Sequence, residues 1–402
     1  MRPTARVSLL ALALPVAACG GCGKTVAPQP VHDGDVATLV LTEDGSPMDD
    51  LAATLEPFRE KGDLPALAAA VWRGGTMIAI GVTGSRKLGN PTLATIDDRW
   101  HLGSDTKAMT ATLIGLYVDR GKLHYKDTLA TLFTGETIDA GYRAVTLEQI
   151  LQHRGGAPRD PPSDVWSTMW KDGKAPDARI KAVRAILARP PAQTPGTFVY
   201  ANAGYVIAGA ALERVTGKTW ETMMREDLFA PLHMDECGFG PPGSPDEVDQ
   251  PWGHSSGLLS HTPMAPGLRA DNPPSIGPAG TVSCSLADWG KFLTMHVAGE
   301  RGEATIVSAD TMKHLHAPPA GGDYAQGWAV VHRNWAGSSS AFTHAGSNTM
   351  WFASTWLAPE KNLAFAVVTN RAGGDTDKIV DSVFGPLIKT YAPNSEGPKS
   401  EE

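Results

Sequence analysis

The sequence predicts an α/β (α+β) fold: strands from both chain ends form one antiparallel sheet flanked by helices, and a mostly helical middle domain is inserted. Two observations support this prediction. Residues 66–72 (ALAAAVW) and 76–80 (TMIAI) are apolar runs around a pair of glycines, a pattern typical of two strands and a turn. Towards the carboxyl end, YAQGWAVVH, TMWFASTWL and NLAFAVVTN are short apolar runs between loops, which indicates antiparallel strands joined by hairpins.

Helices are predicted from the spacing of apolar residues. Ser104 is expected to begin a buried helix, because apolar residues recur at helical spacing from Met109 onwards until Gly121 ends the pattern. Residues 205–214 form the most apolar helical segment of the middle of the chain. A last helix is predicted over 375–391.

The order of these elements predicts the domains. Strands at the two chain ends pair most simply in a single sheet, so residues 51–124 and 271–391 are expected to form a sheet domain. A helical domain, 125–270, is inserted into it. Clefts at such junctions are preferred ligand sites. The polar tail, 392–402, is predicted to be disordered.

The amino terminus has the features of an export signal. Arg2 and Arg6 precede an apolar run, 7–18, that is too short to span a bilayer. The run ends in Val-Ala-Ala-Cys, which resembles the lipobox of bacterial lipoproteins and makes Cys19 a candidate lipidation site. The alternative is plain secretion with cleavage at a small residue. We therefore predict a signal peptide (1–18), a tether (19–50), and an exported protein held by lipid at a membrane of the bacterial cell envelope.

The composition limits the classes of partner. The chain has 402 residues, of which 42% are apolar, and a net charge of −8. Its basic residues are scattered, so no nucleic-acid partner is expected. Cys237 and Cys284 could pair in an oxidising compartment or remain two separate buried thiols.

Ser104 and Lys107 lie three residues apart, and residues at this spacing share a helix face. A serine nucleophile needs an adjacent base. Burial and the positive end of a helix would lower the pKa of the lysine enough for it to act as one. The Ser104 N–H at the helix start could face a developing oxyanion. About one S-x-x-K is expected by chance in a chain of this length, so the motif needs support from its context.

Two further motifs follow in the chain. In Tyr200-Ala201-Asn202, the tyrosine could have its pKa lowered by the lysine and carry a proton, and Asn202 could donate to and accept from a substrate amide. In His344-Ala345-Gly346-Ser347, just before a predicted strand, Gly346 would let a substrate backbone approach, and the Ser347 N–H could be a second oxyanion donor.

S-x-x-K, Y-A-N and H-A-G, in this order, resemble the serine β-lactamase and penicillin-binding-protein family. The branch that this sequence resembles contains class C β-lactamases, D-alanyl-D-alanine carboxypeptidases and related esterases. The resemblance extends from about residue 64 to 391. It implies that Ser104 is acylated, that Lys107 and Tyr200 are the base pair, and that Asn202 positions the substrate. It also implies an oxyanion hole from the N–H groups of Ser104 and Ser347, with His344 on the strand side and no metal or organic cofactor.

The third motif departs from the Lys-Thr-Gly of many family members. His344 is charged only part of the time near pH 7, and Ala345 has no hydroxyl, so recognition of a substrate carboxylate should be weaker. The sequence therefore predicts hydrolysis of short esters or neutral amides. D-alanyl-D-alanine carboxypeptidase or β-lactamase activity on D-amino-acid peptides or β-lactams remains an alternative. A further one is a penicillin-binding sensor lipoprotein with slow turnover.

Two other patterns are weaker candidates. Residues 253–257 (GHSSG) match the G-x-S-x-G elbow of α/β-hydrolases, but the flanks lack the strand and helix that this motif needs, so Ser255 is expected in a solvated loop. His314 and His316 lie two residues apart on a helix-like stretch, which does not place both rings on one face. No metal site is predicted.

Overall fold

The structure is a computed structural model that describes residues 48–170, 175–257 and 261–393. The predicted signal peptide, Cys19 and most of the tether lie outside these residues, as does most of the tail. The predicted α/β fold is confirmed, with a seven-stranded sheet of order β1-β3-β2-β12-β11-β10-β9. Its strands are β1 Asp49–Asp50, β2 Ala66–Arg73, β3 Thr76–Gly84, β9 Ala329–His332, β10 Ser340–Ser347, β11 Phe352–Ala358 and β12 Leu363–Thr369.

The two chain ends meet in this sheet, as predicted. Strand β2 pairs with β12 in antiparallel register, with Ala70 opposite Ala366. The carboxyl-terminal strands β9 to β12 are antiparallel neighbours. The exception is the edge strand β1, which runs parallel to β3. The predicted tether therefore extends too far, because Asp49 and Asp50 already belong to the sheet.

Five short strands form two smaller sheets. The sheet β4-β8-β5 joins Arg99–His101, Val282–Ser285 and Gly238–Phe239, and the hairpin β6-β7 joins Gly253–Ser256 to His261–Met264. A disulfide links Cys237, next to β5, to Cys284 in β8. The structure thus favours pairing over two separate thiols.

Helices cover both faces of the large sheet. Their bounds are α1 Ala52–Lys61, α2 Thr106–Asp119, α3 Leu129–Leu132, α4 Ala140–Arg143, α5 Leu147–Leu151, α6 Ser163–Met169, α7 Ala175–Leu187, α8 Asn202–Thr216, α9 Trp220–Met223, α10 Gly277–Gly280, α11 Leu286–Glu300, α12 Ala309–Leu315 and α13 Thr376–Tyr391. Among the helices that the structure describes, none has both the length and the apolar character needed to cross a bilayer. The division into a sheet domain and a helical domain remains a prediction.

Strand β2 explains the layering. Its even-numbered residues, such as Ala68 and Trp72, belong to one apolar core, which includes Trp289 of α11. Its odd-numbered residues, such as Val71, belong to a second core, which includes Val380 of α13. A strand that is buried on both faces needs an uninterrupted apolar sequence, and ALAAAVW supplies it.

Two local predictions need correction. The H-A-G motif was expected just before a strand, but it lies within β10, whose alternate residues Phe342 and His344 are both buried. Ser255 was expected in a loop, but it lies in β6, where its hydroxyl donates to the carbonyl oxygen of Thr262 at 3.4 Å. Short polar strands lack the apolar alternation from which strands are predicted.

Gly290 gives a test of the packing between α11 and β2. A Cβ atom on Gly290 would overlap the buried indole of Trp72, whereas one on Gly385 in α13 would meet nothing within 4 Å. Overpacking of a core typically costs about 1–3 kcal/mol. We therefore expect Gly290→Ala to lower the free energy of unfolding by about that amount, measured by urea denaturation. Gly385→Ala is the matched control and should leave stability unchanged or slightly raised; equal losses in both variants would contradict this packing.

Candidate active site

Ser104 lies just before a helix that is almost entirely buried. It occupies a 3-10 turn, Gly103–Asp105, that leads directly into α2. The α-helix therefore begins at Thr106, two residues later than predicted. Ser104 is half-buried, whereas 12 of the 14 residues of α2 are buried. The hydroxyl of Ser104 is thus held at the edge of the core, where a substrate can reach it.

Lys107 is fully buried beneath Ser104. Its Nζ lies 2.9 Å from Ser104 Oγ, 2.8 Å from Asn202 Oδ1 and 2.6 Å from the carbonyl oxygen of Ala279. The oxygens of Asn202 and Ala279 can only accept hydrogen bonds. A neutral lysine has two N–H hydrogens, which these two oxygens take, and its lone pair then points at the Ser104 hydroxyl. This geometry is that of a base beside its nucleophile.

Burial makes the neutral form of Lys107 accessible. Loss of solvation lowers the pKa of Lys107 to about 7, while the charges of Asp105 and Asp160 oppose the fall. A group with this pKa is about half neutral at pH 7. The lowered pKa predicted from the sequence is therefore confirmed.

Asn202 is oriented by a carboxylate that sequence reasoning missed. Its Nδ2 donates to Asp160 Oδ1 at 2.7 Å, which fixes Oδ1 towards Lys107. Asn202 is the first residue of α8, and the other two residues of Y-A-N immediately precede that helix. Asp160 lies in the loop after α5, and no local pattern around it could have indicated this contact.

Tyr200 completes the group around Ser104. Lys107 Nζ lies 4.8 Å from the centroid of its ring, and its hydroxyl is hydrogen-bonded to Ser104. The lowered pKa that we predicted for Tyr200 is wrong: burial raises its pKa, and this outweighs the opposing hydrogen bond to Ser104. Tyr200 therefore keeps its proton near neutral pH and can donate it.

Strand β10 lies against the Ser104 turn. A Cβ atom on Gly346 would overlap the carbonyl oxygen of Leu102 and approach the nitrogen of Ser104, so only glycine permits this contact. Gly103 has a φ of +52°, and a Cβ there would overlap the nitrogen of Ser347. The two glycines bring the backbone nitrogens of Ser104 and Ser347 into one region. The Ser347 hydroxyl itself donates to the carbonyl oxygen of Trp351 at 2.8 Å.

His344 is buried between two polar groups. Its Nε2 lies 3.1 Å from the hydroxyl of Tyr324, and its Nδ1 lies 3.4 Å from Asp105 Oδ1. Asp105 is the residue after Ser104, and its side chain is 2% exposed. The structure thus brings all seven candidate residues to one site and adds Asp105, Asp160, Tyr324 and His153, whose ring lies 4.3 Å from that of Tyr200.

The weaker sequence candidates lie elsewhere. Ser255 sits in the β6-β7 hairpin. His316 is buried against His296 and Glu300, whereas His314 pairs with Glu148. Within residues 48–170, 175–257 and 261–393, no group of three or more His, Cys, Asp or Glu side chains is arranged to hold a metal ion.

Comparison with known proteins identifies relatives of this chain in sequence and in fold. Penicillin-binding protein 4 of Amycolatopsis lactamdurans is 27% identical over 345 residues, covering 82% of this chain and 83% of the relative. Unguisins hydrolase ungD' of Aspergillus campestris is 28% identical over 69% of this chain, which spans 54% of that relative. A D-stereospecific amidohydrolase from Streptomyces sp. has the same fold, with a TM-score of 0.65, 20% identity, and coverage of 83% of this chain and 98% of that one.

The family model described as Beta-lactamase matches residues 51–385, which is most of the chain and includes every element that contributes to the site. The resemblance inferred from the three motifs is therefore confirmed. This chain belongs to the Beta-lactamase family of serine hydrolases.

Proposed function

We propose that the protein cleaves short esters or neutral amides through an acyl-enzyme at Ser104. The single observation that carries this proposal is the environment of Lys107: a buried amine, with its hydrogens taken by Asn202 and Ala279, faces the Ser104 hydroxyl. A serine is an effective nucleophile only when a base accepts its proton. Here the buried Lys107 is that base.

The reaction then has two balanced steps. Ser104 Oγ attacks the substrate carbonyl carbon while its proton passes to Lys107, and the negative charge develops on the carbonyl oxygen near the N–H groups of Ser104 and Ser347. Tyr200 gives its proton to the leaving alcohol or amine. Lys107 then passes the proton that it took from Ser104 to Tyr200. Water next attacks the acyl-enzyme and gives a proton to the neutral Lys107. The acid is released as Ser104 Oγ takes that proton back, which restores the Ser104 hydroxyl.

The neutral character of the substrate is inferred from His344. Both of its ring nitrogens face protein groups, Asp105 and Tyr324, and β10 carries alanine where a hydroxyl would help to bind a carboxylate. The amidohydrolase of the same fold supports amides as well as esters. Carboxypeptidase or β-lactamase activity is the second candidate, because the family contains members that act on D-amino-acid peptides or β-lactams. The exposed Arg159, which lies beside Asp160, favours this candidate.

Two further parts of the proposal concern location. The predicted signal peptide and Cys19, together with the relative named as a penicillin-binding protein, support export to the cell envelope with a lipid anchor at the membrane. A sensor that binds penicillin and turns over slowly would share this location. A labelled penicillin distinguishes the two, because a long-lived adduct without ester turnover would favour the sensor.

The first prediction tests the nucleophile. Ser104→Ala should abolish hydrolysis of p-nitrophenyl butyrate with no change in the melting temperature large enough to indicate misfolding, because the acyl acceptor is lost but packing is retained. Ser255→Ala is the matched control and should keep full activity. Loss of activity in the control, with activity retained in Ser104→Ala, would refute the assignment.

The second prediction concerns the base. Because the neutral form of Lys107 is the active one and its pKa is about 7, kcat/KM for p-nitrophenyl butyrate should rise as pH increases through about 7 and then level off. Lys107→Ala should lose at least about a hundredfold in rate, and Lys107→Arg should not recover it, since arginine stays protonated. Near-full activity in either variant would make Lys107 structural.

The third prediction concerns substrate choice. Charge-assisted hydrogen bonds to a carboxylate are worth about 1.5–3 kcal/mol, so their loss should reduce relative preference about tenfold to a hundredfold. We expect acetyl-D-Ala-D-Ala to have no advantage over its uncharged C-terminal amide, and nitrocefin to be turned over more slowly than p-nitrophenyl butyrate. A strong preference for the free acid that is lost in Arg159→Ala would instead identify a carboxypeptidase with Arg159 as its anchor.

A further inference from the structure

His344 has a polar neighbour at each of its ring nitrogens. Nε2 lies 3.1 Å from the hydroxyl of the buried Tyr324, and Nδ1 lies 3.4 Å from Asp105 Oδ1. A tyrosine hydroxyl can donate a hydrogen bond to a bare ring nitrogen or accept one from a protonated nitrogen. The contact with Tyr324 is therefore satisfied in either tautomer of His344.

The state of the ring is therefore decided at its second nitrogen. Neutral histidine has only one N–H, so Nδ1 is either bare or protonated, and Tyr324 accommodates both cases at Nε2. The group that faces Nδ1 determines which of the two is stable.

Asp105 faces that second nitrogen. Within the described residues, neither of its buried carboxylate oxygens has a well-formed hydrogen bond, and His344 Nδ1 lies 3.4 Å from Oδ1. Lys107 cannot help in its neutral form, because its two hydrogens are directed at Asn202 and Ala279. A bare carboxylate without partners is strongly unfavourable in a protein core, so a proton must lie between Asp105 and His344. Burial also raises the pKa of Asp105, while His344 opposes the rise.

We propose that Asp105 and His344 share one proton, and that this pair joins the Ser104 turn to β10 and leaves neither ring nitrogen of His344 free for substrate. The pair lies where it would control the oxyanion hole: Asp105 follows Ser104, and His344 precedes Ser347 by three residues in the same strand. Both residues are then positioning residues, which act through the two backbone N–H groups rather than by touching the substrate. The inference on positioning rests on the proposed function, whereas the shared proton does not.

The first test reads the protons directly. In protein labelled with ¹⁵N-histidine, long-range ¹H–¹⁵N spectra identify the tautomer of each ring, and the signals of His344 are those that disappear in His344→Gln. We expect the Nδ1 signal to be that of a nitrogen that carries or shares a hydrogen at neutral pH, in both the wild type and Ser104→Ala. A ring with hydrogen on Nε2 only and a free, unbonded Nδ1 would overturn the proposal. Ser104→Ala performs no turnover in the proposed mechanism, so this result is independent of whether that mechanism is correct.

The second test separates positioning from substrate binding. Asp105→Asn and His344→Gln should each lower kcat for p-nitrophenyl butyrate about tenfold to a hundredfold with little change in KM, since small displacements of catalytic groups have effects of this size. The double variant should be no slower than the slower single one, because the two residues act as one unit. A rise in KM confined to the free-acid peptide, or effects that multiply in the double variant, would overturn the proposal.

A matched control deals with stability. Asp98 is also a fully buried carboxylate, but its oxygens bind Arg86 and the backbone N–H of Thr95 rather than a residue of the site. Asp98→Asn should lower the melting temperature at least as much as Asp105→Asn does, yet keep kcat near the wild-type value. If the two variants lose kcat in proportion to their loss of stability, Asp105 is a packing residue only.

Discussion

The burial of a single amine organises the site. Lys107 has no exposed surface, and its hydrogens need acceptors within the core. The carbonyl oxygen of Ala279 provides one, and the hydroxyl of Thr110 bonds to the neighbouring carbonyl of Pro278, so the short helix α10 is held along α2. Helix α8 meets the same segment at Gly209, where any Cβ would overlap Pro278. The contacts that hold these helices together also exclude water from Lys107, and this loss of solvation lowers its pKa.

The second constraint is the close approach of backbone to backbone. An oxyanion hole made of main-chain N–H groups needs two segments whose nitrogens converge, and side chains would prevent this. Gly103 and Gly346 have no side chains, so β10 can approach the Ser104 turn closely. Gly327 likewise allows the loop before β9 to approach the backbone of Ala108 in α2. Glycine loses more conformational entropy on folding than other residues, but no other residue permits this geometry. Hence the third motif depends on Gly346 more strictly than on the residue before it.

Sequence reasoning predicted the elements of this fold better than their contacts. Apolar runs identified β2, β3, β11 and β12 because each has a strong local pattern, whereas β10 was missed because its sequence, SAFTHAGS, mixes polar, small and apolar residues. The motif residues Ser104, Lys107, Tyr200 and Asn202 were found because their spacing or order is distinctive. Asp105 was visible beside Ser104 but gave no signal, since its importance depends on a histidine 239 positions later. The pKa of Tyr200 was misjudged because burial, which the sequence does not show, raises it more than the hydrogen bond to Ser104 lowers it.

The proposed sharing of a proton couples two positions that look independent in the chain. A lysine at position 344 would carry its charge on a flexible stem and could reach a substrate while leaving Asp105 without a fixed partner. Histidine has two nitrogens in fixed directions, and here one faces a carboxylate and the other a hydroxyl. Asp105 and Tyr324 provide these two groups, so the three residues act together. On this view the change from lysine to histidine in the third motif replaces a charge offered to the substrate with a charge used inside the protein, and substrate choice follows from where that proton is held.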